Sequence, residues 1–82
     1  MQDNQTNTNQ KLDHRAIKIA EKIKELRIAA GYSNHEFFAW DNDLNRVQYW
    51  RVEKGANITI KTLLAILDIH KISLADFFKD FE

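Results

Sequence analysis

The stretch NRVQYWRVEKG, from Asn45 to Gly55, constrains this chain more than any other. It carries a start signal, a stop signal and two different faces. Asn45 suits an N-cap, and Gln48 stands three residues on, where a capping-box partner belongs. Gly55 supplies the left-handed residue that ends a helix. At about 100° per residue, Tyr49, Val52 and Glu53 fall on one side. Val47, Trp50, Arg51 and Lys54 fall on the other, with Arg46 and Gln48 at its edges.

Similar punctuation divides the rest of the chain into four more short helices. The first runs from Asp13 as N-cap to Ala30, with Gly31 as its stop. Its stripe is Ile19, Ala20, Ile23, Leu26, Arg27 and Ala30, in which Arg27 is a charge on the inward side. Ser33 and Glu36 form an S-x-x-E capping box that opens a second helix rich in aromatics, with Trp40 as packing. Asp41, Asn42 and Asp43 then make the turn, and Leu44 dips inward. Thr59 caps a fourth helix with core positions Ile60, Leu63, Leu64 and Leu67. Ser73 caps a fifth, with Leu74, Phe77, Phe78 and Phe81 inside. There is no proline, no strand signal and no repeat, so the expected class is all-α.

Eighty-two residues make one small domain whose modest core would gain from dimerisation. The polar, apolar-poor opening MQDNQTNTNQ reads as disordered, giving a tail over residues 1–11 and a domain over 12–82. No cysteine is present, which excludes disulfides and thiolate metal sites and fits a cytoplasmic setting. No apolar run is long enough to span a membrane, and the Met1 end lacks a signal peptide's apolar region. Lys and Arg total 12 and so do Asp and Glu, for a net charge of zero. Phosphate binding usually shows as a basic domain. Distribution matters more here: Arg46, Arg51 and Lys54 share one face, while Asp68, Asp76, Asp80 and Glu82 gather toward the other end of the chain.

Arg and Gln side chains can pair bidentately with guanine and adenine edges in the DNA major groove. A short helix that carries them outward is what a helix-turn-helix reader needs. The segments IKELRIAAGYS, EFFA, LNRVQYWRVEKG and IKTLLAILDIHKISLADFF, in this order and spacing, resemble the phage repressor and Cro-type (lambda repressor-like, XRE-like) helix-turn-helix domains. The resemblance covers roughly Ile17 to Phe78. It implies a five-helix domain in which Ser33–Trp40 is the positioning helix and Arg46–Lys54 the recognition helix. Asp43 stands near the place where such turns often carry glycine, and the position of Trp50 is more commonly small or polar.

The resemblance also implies roles. Arg46, Val47, Gln48 and Arg51 match the base-reading positions, with Val47 suited to a thymine methyl. Lys54, Asn57, Thr59, Lys61 and the helix start at Asn34 and His35 are candidates for phosphate contacts. Arg27 and Glu53 match a structural ion pair between the first and third helices. Trp50 stacks along the backbone, touches a base, joins a protein interface or lies over the second helix; the sequence leaves these open. Phe81 is a candidate for an interface, since dimers in the family form through this end.

His14, His35 and His70 share no helical face and form no metal-ligand pattern. No nucleophile–base or paired-carboxylate set is visible, so neither an enzyme nor a cofactor is expected. The chain ends soon after the domain, and no small-molecule effector domain is expected. The functional expectation is a sequence-specific regulator that binds double-stranded DNA as a homodimer. The rival is a protein-interaction module on the same scaffold, favoured by the neutral charge, Trp50 and the terminal phenylalanines, and opposed by Arg46, Arg51 and Lys54.

Overall fold

The computed structural model describes residues 13–81. The expected tail over residues 1–11 lies outside the described residues. Five helices follow in order: α1 His14–Ala29, α2 His35–Asp41, α3 Arg46–Glu53, α4 Ile60–His70 and α5 Leu74–Phe78. No strand occurs among the described residues. This is the expected five-helix, all-α arrangement.

Local chemistry sets the helix ends. Asp13, Asn45, Thr59 and Ser73 each accept from a backbone N–H of the helix that follows. Arg15 holds the Asp13 carboxyl far below the usual carboxylate range through a side-chain hydrogen bond. At the other ends, α1, α2 and α3 close with one device. Gly31, Asp43 and Gly55 take φ values of 98°, 59° and 90°. In each case the next residue reaches back to the helix: Tyr32 N to Arg27 O at 3.2 Å, Leu44 N to Ala39 O at 2.8 Å, Ala56 N to Arg51 O at 3.1 Å. Asp43 therefore serves as the left-handed residue of the turn between α2 and α3, a conformation aspartate tolerates better than most side chains.

The core takes residues from every helix: Ile23, Phe38, Ala39, Tyr49, Val52, Leu63, Ile66, Leu67 and Phe77. Phe38 is its aromatic hub. Tyr32 meets it edge-on at 5.3 Å, Tyr49 packs at 5.0 Å, and His70 stacks on it at 5.1 Å with the rings 6° apart. α3 packs on both α1 and α2.

Several sequence expectations need correction. The α2 cap is Asn34, not Ser33: its Oδ1 accepts from Glu36 N at 2.6 Å and Phe37 N at 3.3 Å. Asp41 is the last residue of α2 rather than part of the turn, and Tyr32 Oη donates to it at 2.7 Å. Ala30 is exposed at the end of α1. On α4 the inward stripe is Leu63, Ile66 and Leu67. Leu64 lies about 100° around the helix from Leu63, and Ile60 sits in the first turn; both are exposed. On α5 only Phe77 is buried, while Leu74 and Phe78 flank it on the surface. Trp40 is 82% exposed rather than packed. It lies roughly opposite Phe38 on the helix, so burying Phe38 turns it outward.

Candidate nucleic-acid interface

The inward side of α3 is anchored to α1 by one ion pair. Arg27 Nε donates to Glu53 Oε2 at 2.8 Å and Nη2 to Oε1 at 3.0 Å. A third donor, Nη1, reaches the Tyr32 carbonyl at 2.7 Å. The two side chains are only 5% and 7% exposed. Such a bidentate pair fixes direction as well as distance. The carboxylate also pushes the Arg27 guanidinium further above its ordinary range. Beside them the Tyr49 hydroxyl is buried without a hydrogen-bond partner. Burial first, and the Glu53 carboxylate second, raise it well beyond the usual phenol range, so it keeps its proton.

With that side locked, the other side of α3 faces outward. Arg46, Val47, Gln48, Trp50, Arg51 and Lys54 are all exposed. Arg46 Nη1 stands 3.7 Å from Glu36 Oε2, with both side chains more than half exposed. A pair this open is worth little and does not hold the guanidinium against a better partner. Arg51 takes part in no ion pair among the described residues. Lys54 Nζ lies 5.6 Å from the centre of the Trp50 ring, and Trp50 shares a shallow hollow with His35, Glu36, Arg46 and Val47.

A second hollow runs from α3 to the start of α4 and is lined by Gln48, Arg51, Asn57, Thr59 and Thr62, among others. It brings two of the residues matched to base reading beside two of those matched to phosphate. The Thr59 hydroxyl is already engaged, accepting from Thr62 N at 3.1 Å and bonded to Thr62 Oγ1 at 3.0 Å. Asn34 likewise spends its oxygen on the α2 cap, which leaves its amide N–H groups for an outside acceptor. His35 opens α2, half-buried, and Lys61 is exposed near the start of α4.

Phe81 is not an open aromatic. It is half-buried, packs edge-on against Phe78 at 5.2 Å and lies under Lys18 Nζ, 5.1 Å from the ring centre. Lys18 also donates to the Phe81 carbonyl at 2.6 Å, which ties the chain end to α1. The exposed aromatics are instead Phe37 and Trp40 on α2, 68% and 82% accessible. Sequence reasoning missed them. The signal was their angular distance from Phe38, hidden because four apolar residues in a row give a helix no obvious side. Among the described residues there is no group of three metal-ligating side chains, and no helix long and apolar enough to cross a membrane.

No family model and no curated protein matches the chain. Among solved structures it is similar to a point mutant of the restriction-modification controller protein C.Esp1396I. The two share 27% identity over 84% of this chain and 92% of that one, with a TM-score of 0.71. The chain thus has the helix-turn-helix fold of a controller protein, with α2 and α3 as the two helices and Asp43 in the turn between them.

Proposed function

We propose that the chain is a sequence-specific transcriptional regulator that reads the DNA major groove with α3 and acts in the cytoplasm as a homodimer. One observation carries this reading: α3 is held from within by the Arg27–Glu53 pair, while Arg46, Val47, Gln48 and Arg51 all project into solvent. A rigid rod with guanidinium and amide groups on its open side suits base edges. Lys54 at the end of α3, His35, Asn57 and Thr59, which share hollows with its outward residues, and Asn34 and Lys61 near the starts of α2 and α4 are assigned to the phosphates.

The homodimer reading is supported by four apolar side chains left outside the core of α4 and α5: Ile60, Leu64, Leu74 and Phe78. A two-fold arrangement would set two α3 helices about 34–36 Å apart, one turn of DNA. The solved neighbour, a restriction-modification controller, supports a small regulator of that kind. No cofactor or effector enters this reading.

A second reading, a protein-interaction module on the same scaffold, is favoured by the open Phe37 and Trp40 pair on α2. Selection from random duplexes at physiological salt separates the two. The regulator enriches a roughly palindromic motif with half-sites one turn apart. A module without DNA reading enriches nothing, and that result would overturn the first assignment.

A further inference from the structure

We propose that the outward side of α2 docks a basic segment of another protein, one that sets a large apolar side chain beside lysine or arginine. The inference extends the interaction reading of Phe37 and Trp40, and it holds whether or not α3 reads DNA.

Burying Phe38 and Ala39 fixes which residues of α2 turn outward. They are Glu36, Phe37, Trp40 and Asp41, all exposed. Spacings of three and four residues put these four on one stripe of the helix. Glu36 stands about one turn before Trp40, and Phe37 about one turn before Asp41, so carboxylates and aromatic rings interleave. Phe37 and Trp40 are the two most exposed aromatic side chains among the described residues. With Leu44, half-buried after the turn, they wall a cleft of about 390 Å³ whose other lining residues are Asn34, Glu36 and Arg46. Mostly apolar walls with a few polar groups at the edge suit the uptake of an apolar group.

Charge decides what surrounds that group. From His35 to Asn45 the chain has Glu36, Asp41 and Asp43 and no lysine or arginine. All three carboxylates are exposed. Such a surface repels DNA phosphates, and pressed against its own copy it would set acid against acid. A segment that carries lysine or arginine is its electrostatic complement. Among the residues that line the cleft, Arg46 is the cation, standing 3.7 Å from Glu36 in an open pair. A partner's cation at Glu36 displaces it at little cost, because so exposed a pair is weak.

The test pans random linear peptides against the whole chain at physiological salt, without DNA. Enrichment of peptides that join a large apolar residue to lysine or arginine is the expected result. An enriched peptide, synthesised and titrated, should lose about tenfold or more in affinity for Phe37→Ala with Trp40→Ala, a surface pair whose melting curve should match the wild type. Glu36→Gln should weaken binding about threefold, and Arg46→Ala, which removes the competing cation, should strengthen it by a similar factor. Enrichment of acidic peptides, or of none, overturns the proposal. So does a double variant that binds the peptide as the wild type does. Self-association that is lost in the double variant would give this face to a second copy and overturn it too. Because no DNA is present, failure here leaves the reading of α3 standing, and failure to select a duplex leaves the docking side standing.

Discussion

Arg27 and Glu53 meet across the α1–α3 contact with two parallel hydrogen bonds, at 2.8 and 3.0 Å, almost sealed from solvent. Removing one partner strands the other charge in the interior. Glu53→Ala is expected to cost about 3–5 kcal/mol in chemical denaturation. Replacing both, Arg27→Met with Glu53→Leu, is expected to recover most of that loss, because desolvation offsets much of a buried pair's attraction. A Glu53→Ala chain that unfolds at the wild-type denaturant concentration would show that the pair is dispensable.

The start of α2 gives a sharper local test. Asn34 Oδ1 accepts from two backbone N–H groups, while Ser33 caps nothing. Asn34→Ala is expected to cost about 1 kcal/mol, and Ser33→Ala to stay within about 0.5 kcal/mol. Urea midpoints of the two variants check this, and equal shifts would contradict the observed cap.

These residues also show how far the sequence could be read. Asp13, Asn45, Thr59 and Ser73 were legible as caps because each stands alone before a periodic run. Ser33 and Asn34 are adjacent and both good caps, and only the register of Phe38 in the core chooses between them. Gly31 and Gly55 were legible as stops because glycine takes a positive φ freely, whereas Lys71, which ends α4 at φ 56°, carries no such mark. The side chains of α4 and α5 were not. Ile60, Leu64, Leu74 and Phe78 are as apolar as the residues that are buried, and hydrophobicity alone does not say which face meets a neighbour. In the candidate interface, Glu36 beside Arg46 was also beyond reach, since the contact crosses from α2 to α3.

His70 makes stability depend on pH. Its ring stacks on Phe38, its Nε2 is buried without a partner, and burial lowers its pKa below 6.5. The unfolded chain therefore binds a proton more readily than the folded one. The neutral histidine's contribution is fully present above about pH 6.5 and is lost as pH falls toward the depressed folded value. Denaturation midpoints measured from pH 7.5 downward are expected to drop, and His70→Phe is expected to flatten that part of the profile. An unchanged slope in the variant would assign the acid sensitivity elsewhere.

Arg51 and Lys54 should fail in different ways. Arg51→Ala is expected to cost about 1–3 kcal/mol on the selected duplex and to relax base choice at one position. Lys54→Ala is expected to weaken all duplexes alike and to reduce the log–log salt slope by about 0.9. Binding measured at several salt concentrations, on selected and random duplexes, distinguishes them. Equal loss on both duplexes for Arg51→Ala would move that residue to the phosphate group.

The surface of α4 and α5 carries the last expectation. Ile60 is 69% exposed and Leu74 47%, each the first residue of its helix. A carboxylate at a helix start is favoured by the helix dipole, so Ile60→Glu with Leu74→Glu should leave the fold as stable as before. Across a two-fold interface the same four carboxylates would face one another in a desolvated patch, which costs several kcal/mol. If the wild type forms the proposed homodimer, the double variant is expected to sediment as a monomer at the same concentration. Its affinity for a single half-site should hold, while its affinity for the paired site falls. A variant that still sediments as a dimer would place the homodimer contact on another face, with Phe37 and Trp40 of α2 the next surface to alter.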